Sequence, residues 1–300
     1  MFHVKQTVPH KVLVVTGPTA SGKTKIAVNL AKQLNGEVIS ADSRQIYRHM
    51  DLGTGKDIAE YGETPYHLID ILDPKDSFSV SQFQSLALRS INEITSRGRL
   101  PIVCGGTGHY IKALAQNYSF PFVAHNPYLN QSLEQLPYPT LYSYMAHLQI
   151  KGPCDSKRRM ARLIEKALSK PVNEVQPPTT ITINPLIFVI QPNRLQLRGQ
   201  IKLRLKERLS QGMVAEVESL LTHKVTADRL KSFGLEYRWI TEYLNHNINY
   251  EEMETSLYNA ICQFAKRQET FFRYMQKSGV QMNPLLDTNA TAKAVTKWLQ

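Results

Sequence analysis

Cysteine and long apolar runs are scarce in this sequence of 300 residues, and each scarcity excludes a class of protein. The three cysteines, Cys104, Cys154 and Cys262, have no metal-site spacing and cannot all pair with one another. We therefore expect reduced thiols in a cytoplasmic protein. No apolar run approaches the roughly 18 residues of a membrane-spanning helix, and the first residues show no secretory signal pattern, so we expect no membrane partner.

Acidic residues are outnumbered, and the basic excess lies mostly in one part of the chain. The sequence has 36 Lys and Arg against 25 Asp and Glu, a net charge of +11. Residues 151–240 contain 17 basic and 8 acidic residues, whereas residues 1–150 contain 13 and 11. A basic segment favours a polyanionic partner such as nucleic acid, although a solvated helix face explains the same charge equally well.

Short β-branched runs alternate with helical patterns along the first hundred residues. The sequence predicts strands at residues 11–16, 37–40, 66–71 and 101–104, with helices at 22–34 and 80–96, the second capped by Ser79. Strands separated by helices indicate a parallel α/β sheet, whose ligands bind at the carboxyl ends of the strands. Another strand is expected within residues 180–190. Further helices are predicted at 157–168, 194–209, 214–221, 237–244 and 250–276.

A change in composition suggests how the chain is divided. Residues 118–154 are rich in proline and aromatic residues and poor in charge, which indicates a short insertion or lid. We therefore expect residues 1–117 and 155–300 to form one core with a helical C-terminal region.

The most specific motif follows the first predicted strand and fits the phosphate-binding pattern G-x-x-x-x-G-K-[ST]. It consists of Gly17, Pro18, Thr19, Ala20, Ser21, Gly22, Lys23 and Thr24, the phosphate loop. Its amide N–H groups can surround a phosphate, Lys23 adds positive charge, and the Thr24 hydroxyl can ligate a phosphate-bound Mg²⁺. The predicted fold is an α/β, P-loop NTPase-like parallel sheet flanked by helices. The loop does not distinguish one diphosphate from another, so ATP is also a candidate ligand.

The next strand ends carry further polar residues. Asp42 and Ser43 follow the second strand, where a carboxylate can activate a nucleophile, bind a metal or cap a helix. Thr107, between Gly106 and Gly108, either hydrogen-bonds a ligand or begins a helix. The residue pattern alone leaves these alternatives open.

Several segments together resemble the tRNA dimethylallyltransferases, also called tRNA isopentenyltransferases or the IPP transferase family. The resemblance rests on the phosphate loop and on residues 40–47, 50–56, 105–110 and 263–273. It implies transfer of a dimethylallyl group from dimethylallyl diphosphate to N6 of adenosine 37 in tRNAs that read codons beginning with U. It also implies that diphosphate is released and that the cofactor is Mg²⁺.

The resemblance further implies roles for single residues. Asp42 would be the general base, and Lys23, Thr24 and Thr107 would complete the catalytic set, with Mg²⁺ on Thr24. The phosphate loop would bind the donor diphosphate, together with Arg238. Contacts with the anticodon stem-loop of tRNA are implied for Asp42, Ser43, Arg44, Gln45, Arg158, Arg159, Arg162, Lys266, Arg267, Gln268 and Arg273.

The sequence also departs from the family pattern, mainly on the expected RNA side. The insertion is short, residues 233–238 read Phe-Gly-Leu-Glu-Tyr-Arg where many relatives have Gly-Tyr-Lys/Arg, and Cys262 replaces a basic or polar residue. Three alternatives are a P-loop kinase of a small molecule or nucleotide, an adenylate isopentenyltransferase, and an RNA-binding protein with a nucleotide switch. The first two have little use for a basic C-terminal half, and the third leaves Asp42 without a chemical role. We expect a monomer.

Overall fold

A parallel sheet forms the centre of the main unit. The computed structural model describes residues 9–118, 126–152, 155–169, 181–285 and 287–300, so Cys154 and parts of the expected insertion lie outside the described residues. Within those ranges the strands are β1 (His10–Thr16), β2 (Gly36–Ser40), β3 (Tyr66–His67), β4 (Leu100–Gly105), β5 (Ile183–Val189) and β6 (Asn283–Pro284). Their order is β3-β2-β4-β1-β5-β6, and every pairing is parallel. The predicted α/β class is confirmed.

The register brings four strand ends to one edge of the sheet. In the centre, β1 pairs Val15 with Cys104 of β4 and Thr16 with Val189 of β5. On the other side of β4, Ser40 at the end of β2 pairs with Cys104. Because parallel strands end on the same side, the loops that follow them meet there.

Helices cover the sheet and make up most of the C-terminal half. The described helices are α1 (Lys23–Leu34), α2 (Val80–Ser96), α3 (Gly108–Ala115), α4 (Pro127–Gln135), α5 (Tyr138–His147), α6 (Lys157–Leu168), α7 (Arg194–Ser210), α8 (Met213–Thr222), α9 (Ala227–Phe233), α10 (Leu235–Leu244), α11 (Tyr250–Lys277) and α12 (Thr288–Leu299). Ser79 caps α2 in a capping box with Gln82, as predicted. None of the helices within the described ranges combines the length and the apolar character that crossing a membrane requires.

Alternating side chains of β1 build an apolar layer on each face of the sheet. Val12 and Val14 belong to the cluster that includes α2, whereas Leu13 and Val15 belong to the cluster that includes α1. This follows from the two-residue period of a strand. A third cluster lies among α7 to α11, where Leu197, Ile201, Leu205 and their counterparts on α11 recur at helical spacing.

Contacts along the chain define two compact units, residues 1–118 with 181–300 and residues 119–180. In the second unit α4, α5 and α6 enclose an apolar cluster that includes Leu141 and Met160. The fully buried Glu165 carboxylate there accepts a hydrogen bond from Asn130 Nδ2 at 2.9 Å. The sequence assigns the chain from residue 155 onwards to the core, whereas the contacts group α6 with α4 and α5. The division into a catalytic core and a lid stays a prediction.

One predicted strand is wrong over most of its length. Residues 66–71 were expected to be extended, but β3 ends at His67. Leu68 and Asp70 have φ angles of +63° and +56°, a left-handed conformation that a strand does not contain. The apolar pattern of this segment instead reflects the burial of Leu68 and Ile69. The helices α4, α5, α9 and α12 and the short strand β6 were not predicted.

Candidate functional site

The phosphate loop lies between β1 and α1, as its motif predicts. Gly22 precedes α1 with φ +75°, a conformation that suits glycine. Lys23 Nζ donates a hydrogen bond to the Pro18 carbonyl oxygen at 2.7 Å, and Ser21 Oγ donates to the same oxygen at 2.8 Å. Burial lowers the pKa of Lys23, while Cys104 and Asp42 act in the opposite direction. The Asp42 charge therefore acts on the phosphate-loop lysine.

The ends of β2 and β4 are joined to each other by Thr107. The Ser43 amide donates to Thr107 Oγ1 at 3.0 Å, and the Arg44 amide donates to Asp42 Oδ1 at 2.9 Å. Thr107 is the N-cap residue of α3, so its helix-start alternative is confirmed, whereas Asp42 accepts a hydrogen bond from a turn that no helix follows. The catalytic residues predicted on these two strand ends lie together at one edge of the sheet.

Two residues that are predicted to contact RNA, Gln45 and Gln268, are buried. Gln268, 8 % exposed, accepts from the Thr19 amide through Oε1 at 2.8 Å and donates to the Gly106 carbonyl through Nε2 at 2.9 Å. Gln45 accepts from Ser40 Oγ at 2.8 Å and donates to the Gly55 carbonyl at 3.0 Å. The structure thus places both amide side chains among protein atoms, between loops of the site.

Two arginines that we did not single out line the cleft beside the phosphate loop. The cleft has a volume of about 370 Å³, and Lys23, Thr24, Arg204 and Arg208 are among its lining residues. Both guanidinium groups pair with Asp57, Arg208 at 3.2 Å. Burial is the main cause that lowers the pKa of Arg208, and the positive charge of Arg204 lowers it further. The negative charge of Asp57 raises it. The two adjacent guanidinium groups therefore share the Asp57 carboxylate beside the loop, and Glu60 and Glu207 add acidic groups to the same lining. The four-residue spacing of the two arginines on the basic helix α7 is the signal in the sequence that could have identified them.

A carboxyl group faces these arginines from α10. Glu236 lines a small cavity with Arg204, Arg208 and phosphate-loop residues. Burial raises the pKa of Glu236 to about 7, although Arg208 and Arg204 oppose the shift. Arg238, predicted to contact the diphosphate, is exposed on the same helix. Among the described residues that line the cleft, Arg204 and Arg208 supply the guanidinium groups, and Arg238 does not take part.

Arg44, a predicted RNA contact, is half-buried next to aromatic rings. Its guanidinium lies 5.2 Å from the centre of the Phe233 ring, and Arg229 lies 4.4 Å from that ring. Burial lowers the pKa of Arg44, with Asp42 acting against it. Ser43 is also half-buried, so the segment after β2 is only partly accessible.

The remaining predicted RNA contacts of the main unit are exposed on α11. Lys266, Arg267 and Arg273 point away from the buried stripe of that helix, which contains Ile261, Ala265, Gln268, Phe272 and Met275. Arg267 lies 6.0 Å from the Phe264 ring centre, and Arg273 donates to Thr270 Oγ1 at 3.3 Å. Gln268 falls on the stripe at helical spacing, and this signal could have separated it from its basic neighbours.

The second unit carries the other predicted basic contacts on α6. Arg158 and Arg159 are exposed, and Arg159 forms an ion pair with Asp155. Arg162 is half-buried and pairs with the buried Glu165 at 2.8 Å. Arg162 therefore contributes to the interior of this unit as well as to its charge.

The donor atoms in the cleft fit a magnesium ion that is bound partly through phosphate. Within the described ranges, no group of three or more His, Cys, Asp and Glu side chains could hold a metal. The cleft lining includes Thr24 and Glu60, whose side chains carry hard oxygen donors, whereas the Asp57 carboxylate there is already paired with Arg204 and Arg208. Burial is the main cause that raises the pKa of Glu60, and the negative charge of Asp57 raises it further. Mg²⁺ commonly uses one or two protein oxygens together with substrate phosphates, which matches this sparse set.

Known proteins resemble this chain over most of its length. The sequence model described as IPP transferase matches residues 45–275. A protein named tRNA dimethylallyltransferase 2 from Shewanella sediminis is 44% identical over 271 residues, covering 89% of this chain and 90% of the relative. Another, tRNA dimethylallyltransferase 1 from Syntrophus aciditrophicus, is 45% identical over 279 residues, covering 90% and 92%.

A solved structure is similar as well. The full-length tRNA isopentenylpyrophosphate transferase from Bacillus halodurans has a TM-score of 0.70 and 31% identity, with 97% of this chain and 95% of that chain covered. Both the family match and the relatives span well over two thirds of the sequence, and the matched region includes Asp57, both cleft arginines and Gln268. The chain belongs to the IPP transferase family.

Proposed function

We propose that this protein transfers a dimethylallyl group from dimethylallyl diphosphate to N6 of an adenosine in tRNA, with release of diphosphate. The observation that carries the proposal is the convergence of the phosphate loop, which follows β1, and Asp42, which follows β2, at one edge of the parallel sheet. The reaction needs an anion-binding site for the leaving group and an acceptor for the amine proton. These two strand ends supply both.

The donor side stabilises the negative charge that develops on the departing diphosphate. Lys23, the phosphate-loop amides and the guanidinium groups of Arg204 and Arg208 supply donors around the cleft. Donors fixed in advance are effective because they need no reorganisation when the charge forms. Thr24 would hold Mg²⁺, which supplies further charge neutralisation at the diphosphate when bound.

The acceptor side removes a proton from a weak nucleophile. The lone pair of the exocyclic adenine amine is delocalised into the ring, so attack benefits from a base. The bond from N6 to C1 of the dimethylallyl group forms as the bond from C1 to the diphosphate oxygen breaks, and the amine proton passes to the Asp42 carboxylate. The Arg44 amide fixes the orientation of that carboxylate, and Thr107 holds the adjacent Ser43.

The basic helices support an RNA acceptor over a small one. A base within an anticodon loop must leave its stack before an enzyme can modify it, and the phosphates around it require cationic contacts. Lys266, Arg267 and Arg273 on α11, and Arg158 and Arg159 on α6, are exposed cations suited to this role. We propose adenosine 37 of tRNAs that read codons beginning with U as the target, and a cytoplasmic monomer as the working form.

The direct test is incubation with labelled dimethylallyl diphosphate, Mg²⁺ and unmodified tRNA, followed by digestion to nucleosides. We expect label on N6 of adenosine at a single position next to the anticodon, and none when tRNA is replaced by AMP or ATP. Label on the free nucleotide but not on tRNA would instead identify an adenylate isopentenyltransferase. Phosphorylation of a small molecule by ATP, without prenyl transfer, would identify a kinase. Elution of the protein as a dimer on size-exclusion chromatography would contradict the monomer.

A further inference from the structure

We infer that Gln268 is a positioning residue that couples the donor loop to the acceptor segment. Its side-chain amide connects the phosphate loop to the turn after β4. That turn contains Thr107, which is hydrogen-bonded to the segment that carries Asp42. The inference rests on the proposed reaction. It removes Gln268 from the surface that contacts RNA and gives it a different role.

The first step is the geometry of the amide itself. Oε1 accepts from the Thr19 amide and Nε2 donates to the Gly106 carbonyl, which are 2.8 and 2.9 Å away. The opposite orientation of the amide would place a donor against a donor and an acceptor against an acceptor, so the bonding pattern fixes its rotamer. Because the residue is 8 % exposed, an approaching RNA would find little of it.

The second step is the close fit at the turn after β4. A Cβ atom on Gly106 would lie only 2.3 Å from Gln268 Nε2, so a side chain at that position would displace the amide. The next residue, Thr107, accepts the Ser43 amide, and Ser43 is adjacent to Asp42. A continuous path of hydrogen bonds and short chain segments therefore connects Thr19 of the donor loop to the proposed general base.

The third step is the location of Gln268 on α11. The residue lies on the buried stripe of the helix, directly after Lys266 and Arg267 on the exposed side. A shift of α11 on contact with RNA would therefore move Gln268 together with the two loops that it joins. Breaking the bridge should lower kcat, which depends on the alignment of donor and base, more than it raises the KM for either substrate.

Gln268→Glu tests the bridge within a single variant. An ionised carboxylate still accepts from the Thr19 amide but repels the Gly106 carbonyl, whereas a protonated carboxyl can accept from the one and donate to the other. We expect kcat at pH 8 to fall about 10-fold or more relative to the wild type, because displacement of reacting groups by about 1 Å can lower a rate by up to about 10²-fold. The ratio of variant to wild-type kcat should rise as the pH is lowered towards 5.5. Gln268→Leu should lose activity at every pH.

The matched control is Gln276→Glu, an exposed glutamine on the same helix, whose kcat ratio should stay close to one at every pH. Hydrogen exchange offers a readout that does not depend on the reaction. The Thr19 amide should exchange faster in Gln268→Leu than in the wild type, while the thermal midpoints confirm that both proteins are folded. If Gln268→Leu does not fold, the inference is still tested by the ratio of Gln268→Glu kcat to wild-type kcat, compared at pH 8 and at pH 5.5.

Three results would overturn the inference. One is an unchanged kcat in Gln268→Leu, and another is a kcat ratio in Gln268→Glu that does not vary with pH. The third is a loss confined to tRNA affinity and its salt dependence, which would return Gln268 to the RNA surface. Failure of the proposed reaction looks different, because the wild type would then not prenylate tRNA while the exchange of the Thr19 amide would still respond to the substitution.

Discussion

The two faces of α11 differ in how their polar residues are held. On the inner face, Gln268 uses both ends of its amide in buried hydrogen bonds with two loops of the site. On the outer face, the exposed Arg267 lies 6.0 Å from a ring centre and Arg273 is 3.3 Å from a hydroxyl. A buried polar group that loses its partner costs about 1–3 kcal/mol, whereas an exposed cation beside an aromatic ring contributes about 0.5–1 kcal/mol. Substitutions on the inner side should therefore affect several groups at once, and those on the outer side should act independently.

The largest effect is expected from Asp42→Asn. Asparagine keeps an oxygen that can accept from the Arg44 amide, so the turn after β2 should survive while the basic group is lost. Removal of a general base lowers the rate about 10²–10⁴-fold. Single-turnover prenyl transfer should fall within that range, while tRNA affinity and inorganic diphosphate binding stay near wild-type values. Turnover close to that of the wild type would reject Asp42 as the base.

A smaller loss is expected when the cleft loses one of its two guanidinium groups. Arg208→Met keeps the apolar stem of the side chain and removes a cation from the cleft beside Lys23. Loss of a single donor to a developing anion lowers the rate about 10²-fold. Lys206→Met, an exposed position on the same helix, is the matched control and should behave like the wild type. Steady-state kinetics with varied dimethylallyl diphosphate separates the two, and equal behaviour of both variants would place Arg208 outside the donor site.

Residues that are close in sequence were the ones whose arrangement could be predicted. The phosphate loop needs only a buried strand, two glycines and a helix start, all within about fifteen residues, and the prediction from this local pattern agrees with the described loop. The parallel sheet was predictable for the same reason, because each strand and its following helix have their own periodicity. In contrast, the bond between Thr19 and Gln268 spans 249 positions, and no local pattern indicates it.

The missed features share a second physical cause. Burial of Leu68 and Ile69 produces the apolar pattern of a strand, although left-handed turns at Leu68 and Asp70 end that strand early. The cleft role of Arg204 and Arg208 depends on Asp57, which is 147 and 151 positions away. Periodicity reports which side of an element is buried, but it does not identify the partner on the other side.

The stability of the donor side should depend on pH through Glu236. Its pKa is about 7 in the folded chain because of burial, above the ordinary value of 4.5. Between these pH values the folded chain holds a proton that the unfolded chain has released, so stability falls as the pH rises from about 4.5 to about 7. The slope is at most about 1.4 kcal/mol per pH unit.

Glu236→Gln removes this titration and should gain stability over the wild type as the pH rises through that window. Urea unfolding at pH 5, 6 and 8 measures the difference between the two proteins. The exposed Glu218→Gln is the control, and its difference from the wild type should be independent of pH. A constant difference for Glu236→Gln as well would show that Glu236 titrates normally.

The smallest effect is expected on the outer face of α11. Arg267→Ala should weaken tRNA binding several-fold without changing kcat, since its guanidinium is exposed and its removal leaves no buried group unmatched. The slope of log affinity against log salt should fall by about 1, as expected for one lost phosphate contact. Lys277→Ala, an exposed lysine in the last turn of the same helix, removes equal charge at a position outside the proposed contact. If both variants lower the affinity and the slope equally, the effect comes from net charge alone; if Arg267→Ala lowers kcat instead, the two faces of α11 are not independent.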